Sequence, residues 1–117
     1  MLSCLKKLRD DYVINQVQKA VLPEFSEEDT VRVRVIFEGR VQKVGFRLEL
    51  AELSKRLGLT GFCENLPDGG VRAELQGSME RIDFMITFMR SLKRIRIDTW
   101  VMIEIPCVDG EHDFLTC

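Results

Sequence analysis

The stretch Gly39–Arg47, GRVQKVGFR, holds the residues best suited to chemistry. It follows an alternating apolar and charged run and leads into a leucine-periodic helix, so it is a strand–loop–helix connection. Successive loop N–H groups can turn inward as a nest, and the N-terminus of the following helix adds partial positive charge. Arg47, in the first helical turn, places like charge at the positive end of the helix dipole. That placement becomes favourable if an anion sits there, because a planar guanidinium can grip two phosphate oxygens at once. Lys43 adds a second cation to the same loop. The bland reading is a tight turn carrying an idle, exposed arginine, and residue chemistry by itself leaves both readings open.

Other chemistries find little support. The single histidine, His112, lies in the tail. The four cysteines, Cys4, Cys63, Cys107 and Cys117, form no CxxC pair and match no zinc spacing. They are expected to be reduced thiols, and a Cys107–Cys117 disulfide is conceivable only in an oxidising compartment. Cys63, on a strand, is read as structural. No metal or other cofactor is implied.

The elements that must position the loop follow from periodicity. Val31, Val33, Val35 and Phe37 alternate with Arg32 and Arg34, which predicts a half-buried strand. Phe46, Leu50, Leu53 and Leu57 fall on one helical face, Glu52 and Arg56 are spaced as an outward i,i+4 pair, and Gly58 is placed as a left-handed cap. Leu59 to Glu64 reads as a second strand, and Leu66–Gly70 as a tight turn. A third strand alternates Val71, Ala73 and Leu75 with Arg72, Glu74 and Gln76. Ser78 can cap a second helix whose Ile82, Met85, Ile86 and Met89 face inward. Ile97 to Ile105 is a fourth strand, apolar on both faces around Trp100. Asp113 to Cys117 can add a short final strand. The order strand, helix, strand, strand, helix, strand is the split βαβ plan of a ferredoxin-like α+β sandwich: an antiparallel sheet with two helices on one face.

Ahead of this lies a segment of different character. Leu5, Leu8, Tyr12, Ile14, Val17 and Val21 recur at near-helical steps, predicting a helix within residues 1–22. Pro23 and the acidic Ser26–Asp29 end it. The expected division is therefore an N-terminal helical extension and linker at 1–29 and a domain at 30–117. The extension is expected to pack on its own domain or to self-associate through residues 1–22, in preference to binding a membrane surface or another partner.

Composition bounds the rest. The 117 residues are 45% hydrophobic and 31% charged, enough for one globular domain with a modest core. A net charge of -2 gives no basic excess to attract nucleic acid or anionic lipid. No apolar run approaches the roughly 18 residues of a membrane helix. Lys6, Lys7 and Arg9 are not followed by the apolar core of a leader peptide. The expectation is a cytoplasmic protein with neither membrane nor nucleic-acid partners. An RNA-binding domain can share the same plan, but Phe37, Phe62 and Trp100 do not form its run of stacking aromatics.

Residues 31–117 resemble the acylphosphatase family. The family's loop has the form GxVQGVGFR, and this chain reads Gly39-Arg40-Val41-Gln42-Lys43-Val44-Gly45-Phe46-Arg47. A second motif, a glycine followed four residues later by asparagine and then a DG turn, is matched by Gly61, Asn65 and Asp68-Gly69. Gln76-Gly77, closing the third strand, also fits. The resemblance implies hydrolysis of small acyl phosphates to a carboxylate and inorganic phosphate, the latter both product and inhibitor. It implies Arg47 as the phosphate-binding arginine, Asn65 as the residue orienting the attacking water, and the N–H groups of Gln42, Lys43, Val44, Gly45 and Phe46 as a phosphate cradle. It implies no metal. The alternative is a non-catalytic anion-binding or regulatory module of the same fold. The chain departs from the pattern at Lys43, where the family usually has glycine. Because Gly39 and Gly45 still flank the loop, position 43 is expected to keep a negative φ, with lysine adding positive potential at the mouth.

Overall fold

A computed structural model describes residues 2–26 and 29–117. Helix α1 (Leu2–Lys19) precedes β1 (Thr30–Arg40), α2 (Phe46–Arg56), β2 (Thr60–Asn65), β3 (Val71–Ser78), α3 (Met79–Ser91), β4 (Arg96–Ile105) and β5 (Phe114–Thr116). The strands form one sheet in the order β4-β1-β3-β2-β5. With α2 and α3 packed on the sheet, this is the ferredoxin-like arrangement that the periodicity predicts.

The sheet is mixed where an antiparallel one was expected. β1 pairs antiparallel with β3 and β4, and β2 antiparallel with β3, but β5 runs parallel to β2. The connection after β4 has to cross the sheet to reach its far edge, and it arrives there in the direction of β2. It crosses the open face, and this explains an unexpected burial. Arg32, predicted as a solvent-facing partner of the core positions, is only 2% exposed. Its guanidinium donates to Glu74, Gln76 and, from the connecting segment, Glu111 at 2.8 Å. Burial opposes the charge on Arg32, but Glu111 and Glu74 outweigh it and its pKa is raised. Burial likewise pushes the Glu111 carboxyl up, but hydrogen bonds from Arg32 and Thr60 win and hold it below its ordinary value.

On the other face the predicted core forms. Val33, Val35 and Phe37 of β1 meet Phe46, Leu50, Leu53 and Leu57, and Ile82, Met85, Ile86 and Met89, all buried. Phe37 and Phe46 stack edge to face at 5.1 Å, which fixes the start of α2 against the strand before the loop. Gly58, at φ 71°, ends α2 as its left-handed cap. Ser78 caps α3, its hydroxyl accepting from the Arg81 N–H at 3.3 Å. The expected Glu52–Arg56 pair does not form. Lys55 takes Glu52 at 3.9 Å, while Arg56 donates to Val17 O and Ala20 O at the C-terminal end of α1. Those carbonyls lie at the negative end of the α1 dipole, which favours a cation there.

Helix α1 packs on the domain, but by only part of the stripe its sequence suggests. Val13 and Val17 are buried, whereas Leu5, Leu8, Tyr12 and Val21 are exposed. The helix ends at Lys19, and Leu22 and Phe25 continue inward, Phe25 meeting Phe84 edge to face. Of the acidic stretch that follows, Glu27 and Glu28 lie outside the described residues. β4 also differs: Val101 is 62% and Ile103 51% exposed, because its outer face has no covering layer. Trp100 is covered in part by the Arg90 guanidinium, 4.2 Å from its ring centre. No helix among the described residues is long and apolar enough to cross a membrane.

Candidate active site

Strand β1 delivers the chain into the loop and α2 receives it. The loop makes two left-handed turns, at Lys43 (φ 62°) and at Gly45 (φ 79°, ψ 15°), the residue that caps α2. Gly45 adopts this conformation freely. Lys43 does not, and it is the only non-glycine residue with positive φ among the described residues. The expected negative φ at Lys43 is therefore overturned. The flanking glycines do not relieve position 43, because the loop needs a left-handed residue there as well as at 45. The cost is about 1 kcal/mol.

Three contacts hold the loop in that shape. The Gln42 amide donates to Leu66 O and Gly70 O, both at 2.8 Å, which clamps the loop to the β2–β3 turn. Arg94 Nε donates to Val44 O at 2.6 Å. Arg9 of α1 donates from Nη1 to Lys43 O at 3.2 Å. A Cβ placed on Gly45 would lie 3.3 Å from both Arg9 Nε and Val13 Cγ2, so α1 rests directly on the loop.

A cleft of about 480 Å³ opens over this loop. Gln42, Lys43, Gly45, Phe46, Arg47 and Asn65 line it together. Of the predicted site residues, Val44 is not in the lining; its side chain is buried and its carbonyl is held by Arg94. Arg47 donates from Nη1 to Cys117 O at 2.7 Å. Among the described residues it makes no other hydrogen bond, which leaves its Nε–Nη2 edge free. Asn65 sits at the end of β2, exposed, opposite Val71 of β3. Cys63 lies one turn of the pleat behind it, buried, and burial pushes its thiol up to about 12 despite the nearby Arg47 charge. That places Cys63 among packing residues, with no thiolate at ordinary pH. Cys107 and Cys117 are free as well.

The sequence reasoning missed the contribution of α1. Lys6, Arg9 and Asp10 line the same cleft, with Thr116 of β5 on its rim. Nothing local in the sequence signals this, since the contact joins residues more than thirty positions apart. A second omission is Glu49, on the inner side of α2. It is 0% exposed, and neither carboxylate oxygen has a hydrogen-bond partner. Its nearest cation is Arg94 Nη2, at 3.8 Å from Oε1. Burial pushes its pKa from 4.5 up to about 7, against the pull of Arg94. Among the described residues no cluster of three or more His, Cys, Asp or Glu side chains is arranged to hold a metal ion.

A glycine-flanked strand–loop–helix connection opening into a cleft on a ferredoxin-like sheet defines a class of small α+β domain, and comparison with known proteins names the family. The acylphosphatase family model matches residues 33–116, and the chain belongs to that family. An acylphosphatase of Anaeromyxobacter dehalogenans is 43% identical over 86 residues, covering 73% of this chain and 89% of the relative. One from Trichormus variabilis is 42% identical over 88 residues, covering 75% and 87%. The solved structure of an acylphosphatase from Coxiella burnetii superposes with a TM-score of 0.69 at 25% identity, covering 75% of this chain and 93% of that one.

Proposed function

We propose that the chain hydrolyses small acyl phosphates to a carboxylate and inorganic phosphate, by direct attack of a water positioned by Asn65 on a phosphoryl group held by Arg47 and the 42–46 backbone. The observation that carries this reading is the convergence of Arg47, from the start of α2, and Asn65, from the end of β2, on one cleft floored by the anion loop. Family membership supports the reaction class.

The chemistry fits these groups. Phosphoryl transfer calls mainly for positioning and charge stabilisation. The Cys117 oxygen takes Nη1 of Arg47 and leaves the Nε–Nη2 edge, which can bind two oxygens side by side. Asn65 can accept a hydrogen bond from water but is no base, so it supplies orientation alone. The water oxygen bonds to phosphorus as the phosphorus–acyl oxygen bond breaks, and the carboxylate departs with the electron pair. The proton of the water ends on the phosphate. The departing carboxylate needs no proton, since its acid has a pKa around 4. A general acid is thus dispensable, in keeping with a cleft that contains no histidine.

In this reading no metal takes part, because the cationic loop already meets the phosphate charge. The test is turnover of benzoyl phosphate with and without chelator, with inorganic phosphate as competitor. Metal-independent turnover inhibited competitively by phosphate is expected. Activity lost to chelator and restored by magnesium would overturn metal independence. Phosphate binding without any turnover would make the chain an anion-binding module.

A further inference from the structure

The helix α1 lies outside the residues matched by the family model, yet it supplies part of the cleft wall. Its hold on the loop is specific. Arg9 bonds Lys43 O at 3.2 Å, and Val13, fully buried, packs beside Gly45. Lys6 is three residues before Arg9 and therefore on the same helix face, so it too reaches the cleft.

The charges in the cleft exceed what one phosphoryl group requires. Lys6, Arg9, Lys43 and Arg47 line it, against a single carboxylate, Asp10. Asp10 is paired with Arg9 at 3.1 Å, and this cancels one charge of each sign. Arg47 is assigned to the phosphoryl group. Lys6 and Lys43 are left, both exposed, and neither has an acidic partner among the described residues. Two unpaired ammonium groups beside the phosphate loop raise the local potential for a second anion.

We propose that α1 makes this cleft selective for acyl phosphates whose acyl group carries a second anionic group, with Lys6 as the specificity-determining residue and Lys43 beside it. The inference rests on the reading of the cleft as an acyl phosphate site. The second anion is a carboxylate or a further phosphate, since a lysine ammonium recognises either as a point charge.

Binding of stable analogues tests it separately from turnover. In phosphonomethyl ketones a methylene replaces the bridging oxygen. The probes are 2-oxopropylphosphonate, 5-phosphono-4-oxopentanoate, which adds a terminal carboxylate, and the matching compound ending in a phosphate. Calorimetry on the full chain at low ionic strength should give about fivefold tighter binding of an anion-tailed probe, the scale of two partly exposed ion contacts. The preferred tail identifies the source of the second anion. The preference should shrink as salt is added. Lys6→Gln should bring the ratio near one, and Lys6→Glu should invert it. Equal binding of all three probes by the unaltered chain, or a ratio unmoved in Lys6→Glu, overturns the inference. Benzoyl phosphate turnover, measured in parallel, judges hydrolysis alone. A chain that keeps the binding ratio but turns nothing over retains the selectivity and loses only the enzymatic reading.

Discussion

Replacing Glu49 by glutamine should make the protein more stable at alkaline pH and change its stability little at mildly acid pH. The carboxyl is fully buried, without a hydrogen bond, and titrates at about 7 in the fold against an ordinary 4.5. The folded state thus binds a proton more tightly than the unfolded chain. Stability is highest below the unfolded value and falls as pH rises toward the folded one. Between pH 5 and pH 8 the loss from this one group is about 2.5 kcal/mol, taking 1.36 kcal/mol per pKa unit. Glutamine has nearly the shape of the protonated acid and cannot ionise. The Arg94 contact is long, 3.8 Å, so little is lost with the charge. Urea unfolding of both proteins at pH 5, 6, 7 and 8 reads the difference, in which other titrating groups cancel. The gap between the two curves should be small at pH 5 and widen by about 2.5 kcal/mol by pH 8. A Glu49→Gln protein less stable at pH 8 than the original would refute the argument, and would mean that Arg94 and Glu49 form a pair whose attraction exceeds its desolvation cost.

Three further outcomes are expected. Lys43→Gly should stabilise the fold by up to about 0.5 kcal/mol, the left-handed penalty less the entropy glycine adds to the unfolded chain; a lower urea midpoint would contradict it. Arg47→Lys should lose at least ~3 kcal/mol of transition-state stabilisation, and Asn65→Ala at least ~10²-fold in kcat with phosphate inhibition nearly intact. Equal shifts in kcat and phosphate Ki for Asn65→Ala would make it a binding residue instead. A chain beginning at residue 30 should still fold, since we place the domain at 30–117. Having lost the buried Val13 and Val17, it should be less stable by roughly 2–4 kcal/mol, and an insoluble product would put α1 inside the core.

What the sequence discloses here divides by distance along the chain. The strand alternation from Val31 and the helical faces at 46–57 and 82–89 are local patterns, and every core residue they predict is buried except Val31, which is partly buried. The loop and the Gly61–Asn65 motif are local too, which is how the two halves of the cleft could be named before their convergence was visible. The conformation of Lys43 was not readable, because a left-handed φ is demanded by where the loop must go rather than by its neighbours. The docking of α1 was misread for a related reason. Its apolar stripe proposes Leu5, Leu8 and Tyr12, but two arginines fix the helix: Arg9 at the loop and Arg56 at the α1 C-terminus. Glu49 was hidden because its position on α2 alternates like a surface residue until Arg94, forty-five positions later, covers it.

The burial of Arg32 has a consequence for how the chain is made. β1 precedes the other strands of this sheet along the chain, yet it sits between β3 and β4, both of which follow it. Until residues 71–78 and then 96–105 emerge, the segment Val31–Phe37 has both edges bare, and its run of valine, isoleucine and phenylalanine is the kind that joins other chains. Arg32 and Arg34 interrupt that run with charge while no partner exists, acting as gatekeepers during synthesis. Only afterwards do Glu74 and Glu111 neutralise them. A change that suits the finished sheet, such as Arg34→Val, should therefore lower refolding yield more steeply with protein concentration than it alters the stability of the product; a yield independent of concentration would remove the gatekeeper role.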